Sequence, residues 1–255
     1  MKDGYEIVYK KPSTMKEKRM HYCPGCFHST FHKIIMEVVE EMDIQDKTIG
    51  VSPVGCSVFA YDYMDIDMQE AAHGRATALA TGIKRMLPDK YVFSYQGDGD
   101  LAAIGTAETI HACNRGENFT MFFVNNAIYG MTGGQMAPTT LAGMKTSTSP
   151  YGRDPKTLGQ PLKMAELVSQ LPGVVYSERI SLNTPANVRK GKKSVRKAFE
   201  IQKKGLGMTF IEMVSNCPSG WKCSPVQSVD VVESDMFDYF PLGVKKDIST
   251  DNDNN

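Results

Sequence analysis

A chain of 255 residues, 41% of them hydrophobic, is long enough to bury a full core and suits one large α/β domain. Its 29 basic and 29 acidic side chains cancel, which removes any global argument for a nucleic-acid or anionic-membrane partner. No apolar stretch is long enough to span a bilayer, and the polar, lysine-rich start from Met1 to Met20 lacks the apolar run of a secretory leader, so a soluble cytoplasmic protein is expected.

Residues 1–20 read as a polar N-terminal arm. Cys23-Pro24-Gly25-Cys26 then opens a segment with Phe27, Phe31, Ile34, Ile35, Val38, Val39 and Met42 at helical spacing. Thr48 to Val51 reads as a short strand leading into a Pro53-Val54-Gly55-Cys56-Ser57 loop. The pattern predicts a helix from Ala71 to Leu87, stopped by Pro88. A buried strand over Tyr91–Gln96, a helix from about Leu101 to Cys113 and a second buried strand ending at Asn125 follow. Gly130 to Pro155, rich in Gly, Thr, Ser and Pro, is a long loop of the kind that carries function. A short helix around Leu158–Gln170, a strand at Val174–Tyr176, a basic helix over Pro185–Lys204 and a last central strand at Thr209–Val214 complete the series. Alternating strands and helices predict a doubly wound, mostly parallel sheet in one domain over residues 21–245, with residues 246–255 as a disordered tail.

Gln96-Gly97-Asp98-Gly99-Asp100 ends one apolar strand and Asn125-Asn126 ends the next. Glycines around a carboxylate let the backbone turn sharply and approach phosphate oxygens. Asp98, the Asn126 side-chain oxygen and a carbonyl just beyond it would offer hard ligands to a Mg²⁺ that also holds a diphosphate. Ligands at the carboxyl ends of neighbouring strands fit the site rule for open α/β sheets. His73 and Arg75 would add donors to such a diphosphate, although an arginine there also suits a surface carboxylate. The Tyr129-Gly130-Met131-Thr132-Gly133-Gly134-Gln135 stretch suits contact with cofactor or substrate, with a plain mobile loop as the rival.

The cysteines are Cys23, Cys26, Cys56, Cys113, Cys217 and Cys223. The Cys-x-x-Cys spacing is shared by Fe–S clusters, zinc sites and thiol redox pairs, and the residues alone leave these open. His21, His28 and His32 either join a zinc site or simply line an amphipathic helix. Cys113 reads as a packed thiol, and Cys223 competes with Cys217 as a ligand. The basic run from Arg189 to Lys204 reads as a solvated helix face, with docking of an acidic electron carrier as the alternative.

From about His21 to Gly243 the chain resembles the β, thiamine-diphosphate-binding subunit of the 2-oxoacid:ferredoxin oxidoreductases, most nearly the type acting on 3-methyl-2-oxobutanoate (2-ketoisovalerate). HYCPGC, PVGCS, AAHGRA, YQGDGD, FVNNAIYGMTGGQ and NCPSGW carry the resemblance, in the family's order. It implies CoA-acylating oxidative decarboxylation of a 2-oxoacid in anaerobic metabolism, with ferredoxin as electron acceptor. It also implies a [4Fe–4S] cluster on Cys23, Cys26, Cys56 and Cys217, and Mg²⁺ on Asp98, Asn126 and the carbonyl of Ile128. Ser57, His73, Gly74, Arg75, Gly97, Gly99 and Asp100 would surround the diphosphate or the adjoining ring, with Tyr129, Gly130, Met131 and Thr132 beside them. No catalytic side chain is expected here. The cofactor-activating glutamate would come from the pyrimidine-binding domain of an α subunit, leaving Glu37, Glu40, Glu41 and Glu108 as surface or packing residues. A ferredoxin-like subunit, ferredoxin, a 2-oxoacid and coenzyme A are the implied partners. The rival expectations are pyruvate or 2-oxoglutarate as substrate, a non-redox thiamine-diphosphate enzyme, a dithiol oxidoreductase, or a zinc-stabilised non-catalytic subunit.

Overall fold

Short runs of aromatic and branched residues, apolar on both sides, form strands that must be covered on both faces. A computed structural model describes residues 6–249 and shows that arrangement. The elements in chain order are α1 (His28–Glu41), β1 (Thr48–Ser52), β2 (Asp67–Glu70), α2 (Ala76–Met86), β3 (Tyr91–Gly97), α3 (Thr106–Arg115) and β4 (Thr120–Asn125). After the long loop come α4 (Pro155–Leu158), α5 (Met164–Ser169), β5 (Val174–Ser181), α6 (Pro185–Lys203), β6 (Met208–Val214), α7 (Pro218–Trp221), α8 (Pro225–Val231), α9 (Phe237–Tyr239) and β7 (Gly243–Asp247).

The sheet order is β2-β1-β3-β4-β6-β5-β7, parallel throughout except for β7, which runs antiparallel to β5. Every residue of β1, β4 and β6 is buried. The two-residue period divides them between two cores. Phe93, Tyr95, Phe122, Val124, Ile211 and Met213 join α1 and α6 on one face. Val92, Met121, Phe123 and Phe210 join α2, α3 and α5 on the other. Thr184 caps α6 by accepting the Asn187 N–H at 3.2 Å, ahead of Pro185. Among the described residues no helix is long and apolar enough to cross a membrane.

The fold corrects several boundaries. The helix expected from Ala71 starts at Ala76, because Gly74 adopts φ 76° and turns the chain after the edge strand β2. The helix expected over Leu101–Cys113 is split: a π-helical turn spans Asp100–Ile104, and Gly105 separates it from α3. A side chain on Gly105 would meet the Asp100 carbonyl at 2.3 Å. The expected tail begins too early, since Lys246 and Asp247 complete β7 against Ser177 and Tyr176, and Ser249 is buried. Residues 250–255 lie outside the described residues. The N-terminal arm is not wholly apart either, as Thr14 and Met15 are buried and the Thr14 hydroxyl donates to the Met36 carbonyl at 2.9 Å.

Candidate cofactor and cluster site

The carboxyl ends of β1, β3 and β4 open onto a cavity of about 270 Å³. Cys56 and Ser57 reach it from the loop after β1, and Gly97, Asp98, Gly99 and Asp100 from the end of β3. Asn126, Ile128 and Tyr129 to Thr132 line it after β4, and His73 closes another side. Gly74 and Arg75 do not line it. His28, which was not anticipated there, does.

Asp98 is buried at the centre. Its Oδ1 accepts the Asn126 N–H at 3.3 Å, while Oδ2 accepts the Ile128 N–H at 3.1 Å and the Thr139 hydroxyl at 2.6 Å. Burial pushes its carboxyl up to about 7, against the pull of those donors, and the negative charge of Glu212 adds to the rise. A cation would reverse that balance. Asp98, the Asn126 side-chain oxygen and the Ile128 carbonyl form an all-oxygen set with one carboxylate, which fits a Mg²⁺ completed by phosphate oxygens. Gly97 has open space where a Cβ would stand. Thr139 comes from the long loop and carried no sequence signal.

Asp100 lines the cavity and also ties its walls together. Its Oδ1 accepts from Val54 N (3.2 Å), His73 Nδ1 (2.8 Å) and Gly74 N (2.9 Å), and Oδ2 accepts from the Gln96 amide (2.7 Å). The carboxylate thus staples the loops after β1 and β2 to β3. It fixes His73 with Nδ1 donating, which leaves Nε2 for the cavity. Arg75 turns away, donating to the Gly74 and Ile104 carbonyls and pairing with Glu108 at 2.9 Å.

The four cysteines converge beside this cavity. A Cβ on Gly130 would stand 3.0 Å from Cys217 Sγ and 3.4 Å from Cys56 Sγ. Cys26 lies 3.8 Å from the Asn216 carbonyl, and Cys23 Sγ is 3.1 Å from Ser219 Oγ on the Cys217 loop. Burial, with charge on the neighbouring cysteines adding to it, pushes Cys26 and Cys56 up to about 11 and Cys217 to about 12. Buried thiolates at these three positions would need compensating cations, which a bound metal would supply. Among the described residues no group of three or more His, Cys, Asp or Glu side chains is placed to hold a metal ion as the side chains stand. Asn216 holds the frame: its Oδ1 accepts the Phe27 N–H at 3.1 Å and its amide donates to the Gly25 carbonyl at 2.9 Å.

His28 and His32 lie on α1, and His21 precedes it. His28 Nδ1 meets the Tyr95 hydroxyl at 2.8 Å, His32 Nε2 meets that of Tyr22 at 3.0 Å, and His21 Nδ1 meets that of Tyr63 at 2.6 Å. Burial holds His28 down at about 3. Cys113 is packed in the second core, and burial pushes it to about 12. Cys223 is half-buried, outside this set. Three side chains of the basic run on α6 are ion-paired: Lys192 with Glu37 and Glu41, Arg196 with Glu41, and Lys197 with Asp247.

A strand-end carboxylate beside an asparagine at the crevice of a parallel sheet is the place where an α/β domain of this kind would hold a metal-bound diphosphate. The chain belongs to the thiamine pyrophosphate enzymes, matching their C-terminal TPP binding domain over residues 53–213. It is 46% identical over 249 residues to the ketoisovalerate oxidoreductase subunit VorA of Methanothermobacter marburgensis, covering 98% of this chain and 52% of that one. The chain therefore spans about half the length of that relative. It is also 41% identical over 199 residues to the 2-oxoglutarate synthase subunit KorB of Methanocaldococcus jannaschii, covering 78% of this chain and 69% of that one. A solved 2-oxoglutarate:ferredoxin oxidoreductase from Magnetococcus marinus shares the fold, with a TM-score of 0.75 at 23% identity over 94% of this chain and 86% of that one.

Proposed function

We propose that the chain is the thiamine-diphosphate-binding subunit of a CoA-acylating 2-oxoacid:ferredoxin oxidoreductase acting on 3-methyl-2-oxobutanoate in the cytoplasm. The observation that carries this reading is one cavity lined by both Asp98, Asn126 and Ile128 and by Cys56. A non-redox thiamine-diphosphate enzyme has no use for cysteines there.

Asp98, Asn126 and the Ile128 carbonyl would hold Mg²⁺, and Gly97, beside Gly99, would leave room for the diphosphate. Cys23, Cys26, Cys56 and Cys217 would hold a [4Fe–4S] cluster, which would supply one-electron redox chemistry. When bound, thiamine diphosphate supplies the nucleophilic carbon and the electron sink for decarboxylation of the 2-oxoacid. His73 presents Nε2 to the cavity in the tautomer that Asp100 fixes. Met131 and Ile104 give the mouth an apolar rim, which limits water.

Among the described residues the lining contains no glutamate, and its acids, Asp98 and Asp100, are engaged as above. The activating glutamate then comes from an α subunit, and a ferredoxin-like subunit carries electrons onward. The 46% identity to the ketoisovalerate oxidoreductase subunit supports a branched-chain 2-oxoacid as substrate.

The test is anaerobic purification with iron and sulfide assays, EPR after dithionite, and ferredoxin reduction with each 2-oxoacid. About four irons per chain, lost in Cys56→Ala and Cys217→Ala, with fastest turnover of 3-methyl-2-oxobutanoate, is the expected result. Stoichiometric zinc without an EPR signal would overturn the cluster, and preference for 2-oxoglutarate would overturn the substrate.

A further inference from the structure

Behind the metal loop lies a buried charge cluster that the chemistry above does not use. Arg179 on β5 is wholly buried, and its guanidinium pairs with Glu166 and, at 3.0 Å, with Glu212 on β6. Glu212 is wholly buried as well. Its Oε2 also accepts the Ala165 N–H at 3.0 Å, and its Oε1 accepts the Asn125 side-chain amide at 2.7 Å. Each oxygen of this buried carboxylate is thus met by a donor.

The consequence appears at Asn125. With its NH₂ committed to Glu212, the amide has one orientation, and Oδ1 accepts the Ala127 N–H at 3.2 Å. Ala127 adopts φ 57°, a left-handed conformation that a residue with a Cβ holds only with support. On either side of Ala127 stand Asn126 and Ile128, and the Ile128 N–H donates to Asp98.

We infer that Glu212, braced by Arg179, is a positioning residue for the Mg²⁺ site: it orients the Asn125 amide, which holds the left-handed turn that presents Asn126 and Ile128 to the metal. This rests on the Mg²⁺–thiamine diphosphate reading of the cavity. A core ion pair with only a packing role would affect melting and leave metal affinity alone.

The experiment is calorimetric titration of thiamine diphosphate into the protein as isolated, at a series of Mg²⁺ concentrations, with melting temperature recorded alongside. Glu212→Gln and Asn125→Ala are expected to raise the Mg²⁺ needed for half-maximal binding by about tenfold or more, the usual scale for an outer partner of a metal ligand. Adding Ala127→Gly to Asn125→Ala should recover part of that loss, since glycine enters the left-handed region freely. Lower melting with unchanged Mg²⁺ dependence, or no recovery in the double variant, would overturn the inference. If the unaltered protein shows no Mg²⁺-dependent binding, the reading of the cavity itself fails, and the inference with it.

Discussion

The indole Nε1 of Trp221 donates a hydrogen bond to the Asn126 carbonyl, 3.1 Å away. That bond joins the segment after Cys217 to the loop bearing Asn126 and Ile128. Trp221 is the single tryptophan of the chain, so its emission reports on this junction. Addition of Mg²⁺ and thiamine diphosphate should shift that emission. Trp221→Phe should weaken cofactor binding by about fivefold, the worth of one ordinary hydrogen bond, as read by calorimetry.

Gly97 separates a ligand-driven glycine from a packing-driven one. Nothing lies within 4 Å of a Cβ built there. Gly97→Ala should therefore fold with stability changed by less than about 0.5 kcal/mol, yet lose at least about tenfold in thiamine diphosphate affinity. Equal affinity in the variant would mean that phosphate does not approach this backbone.

At Gly130 the crowding comes from sulfur. An added methyl would stand 3.0 Å from Cys217 Sγ and 3.4 Å from Cys56 Sγ. Gly130→Ala should lower iron content per chain and shorten survival in air, while the cluster-free chain melts almost as before because thiol side chains can rotate. Iron and sulfide assays on anaerobic and air-exposed samples check this.

His32 makes the fold sensitive to acid. It is wholly buried, and burial, followed by repulsion from His28 and His21, holds its pKa well below 6.5. The unfolded chain takes up a proton there that the folded chain refuses. Stability is therefore fully present above about pH 6.5 and falls as pH drops below it, by up to about 1.4 kcal/mol per pH unit for each such histidine. Urea melts near pH 7.5 and near pH 5.5 should show a smaller difference in His32→Gln than in the unaltered chain.

Much of this site was legible because its signals are local. Asp98 follows an apolar run and is flanked by glycines, and Asn126 repeats that placement one strand later. The cysteine set was suggested by spacing and by neighbouring proline or glycine. The bonds from Asp100 to the backbone of two loops were not legible, because a carboxylate beside a phosphate site and one stapling backbone amides look alike in sequence. Arg75 pairs with Glu108, the surface-carboxylate alternative, since its partner is chosen by a loop that the sequence does not place. Thr139, Asn216 and Glu212 act across long separations, where no spacing rule reaches. The strand β2, Asp-Met-Gln-Glu, escaped because an exposed edge strand carries no apolar pattern.

That edge has a counterpart. The sheet is bordered on one side by the four residues of β2 with Asp67 and Glu70, and on the other by the five of β7 with Lys245 and Lys246. Short, charged borders discourage strand-to-strand growth, so identical chains are kept from stacking side by side into fibres.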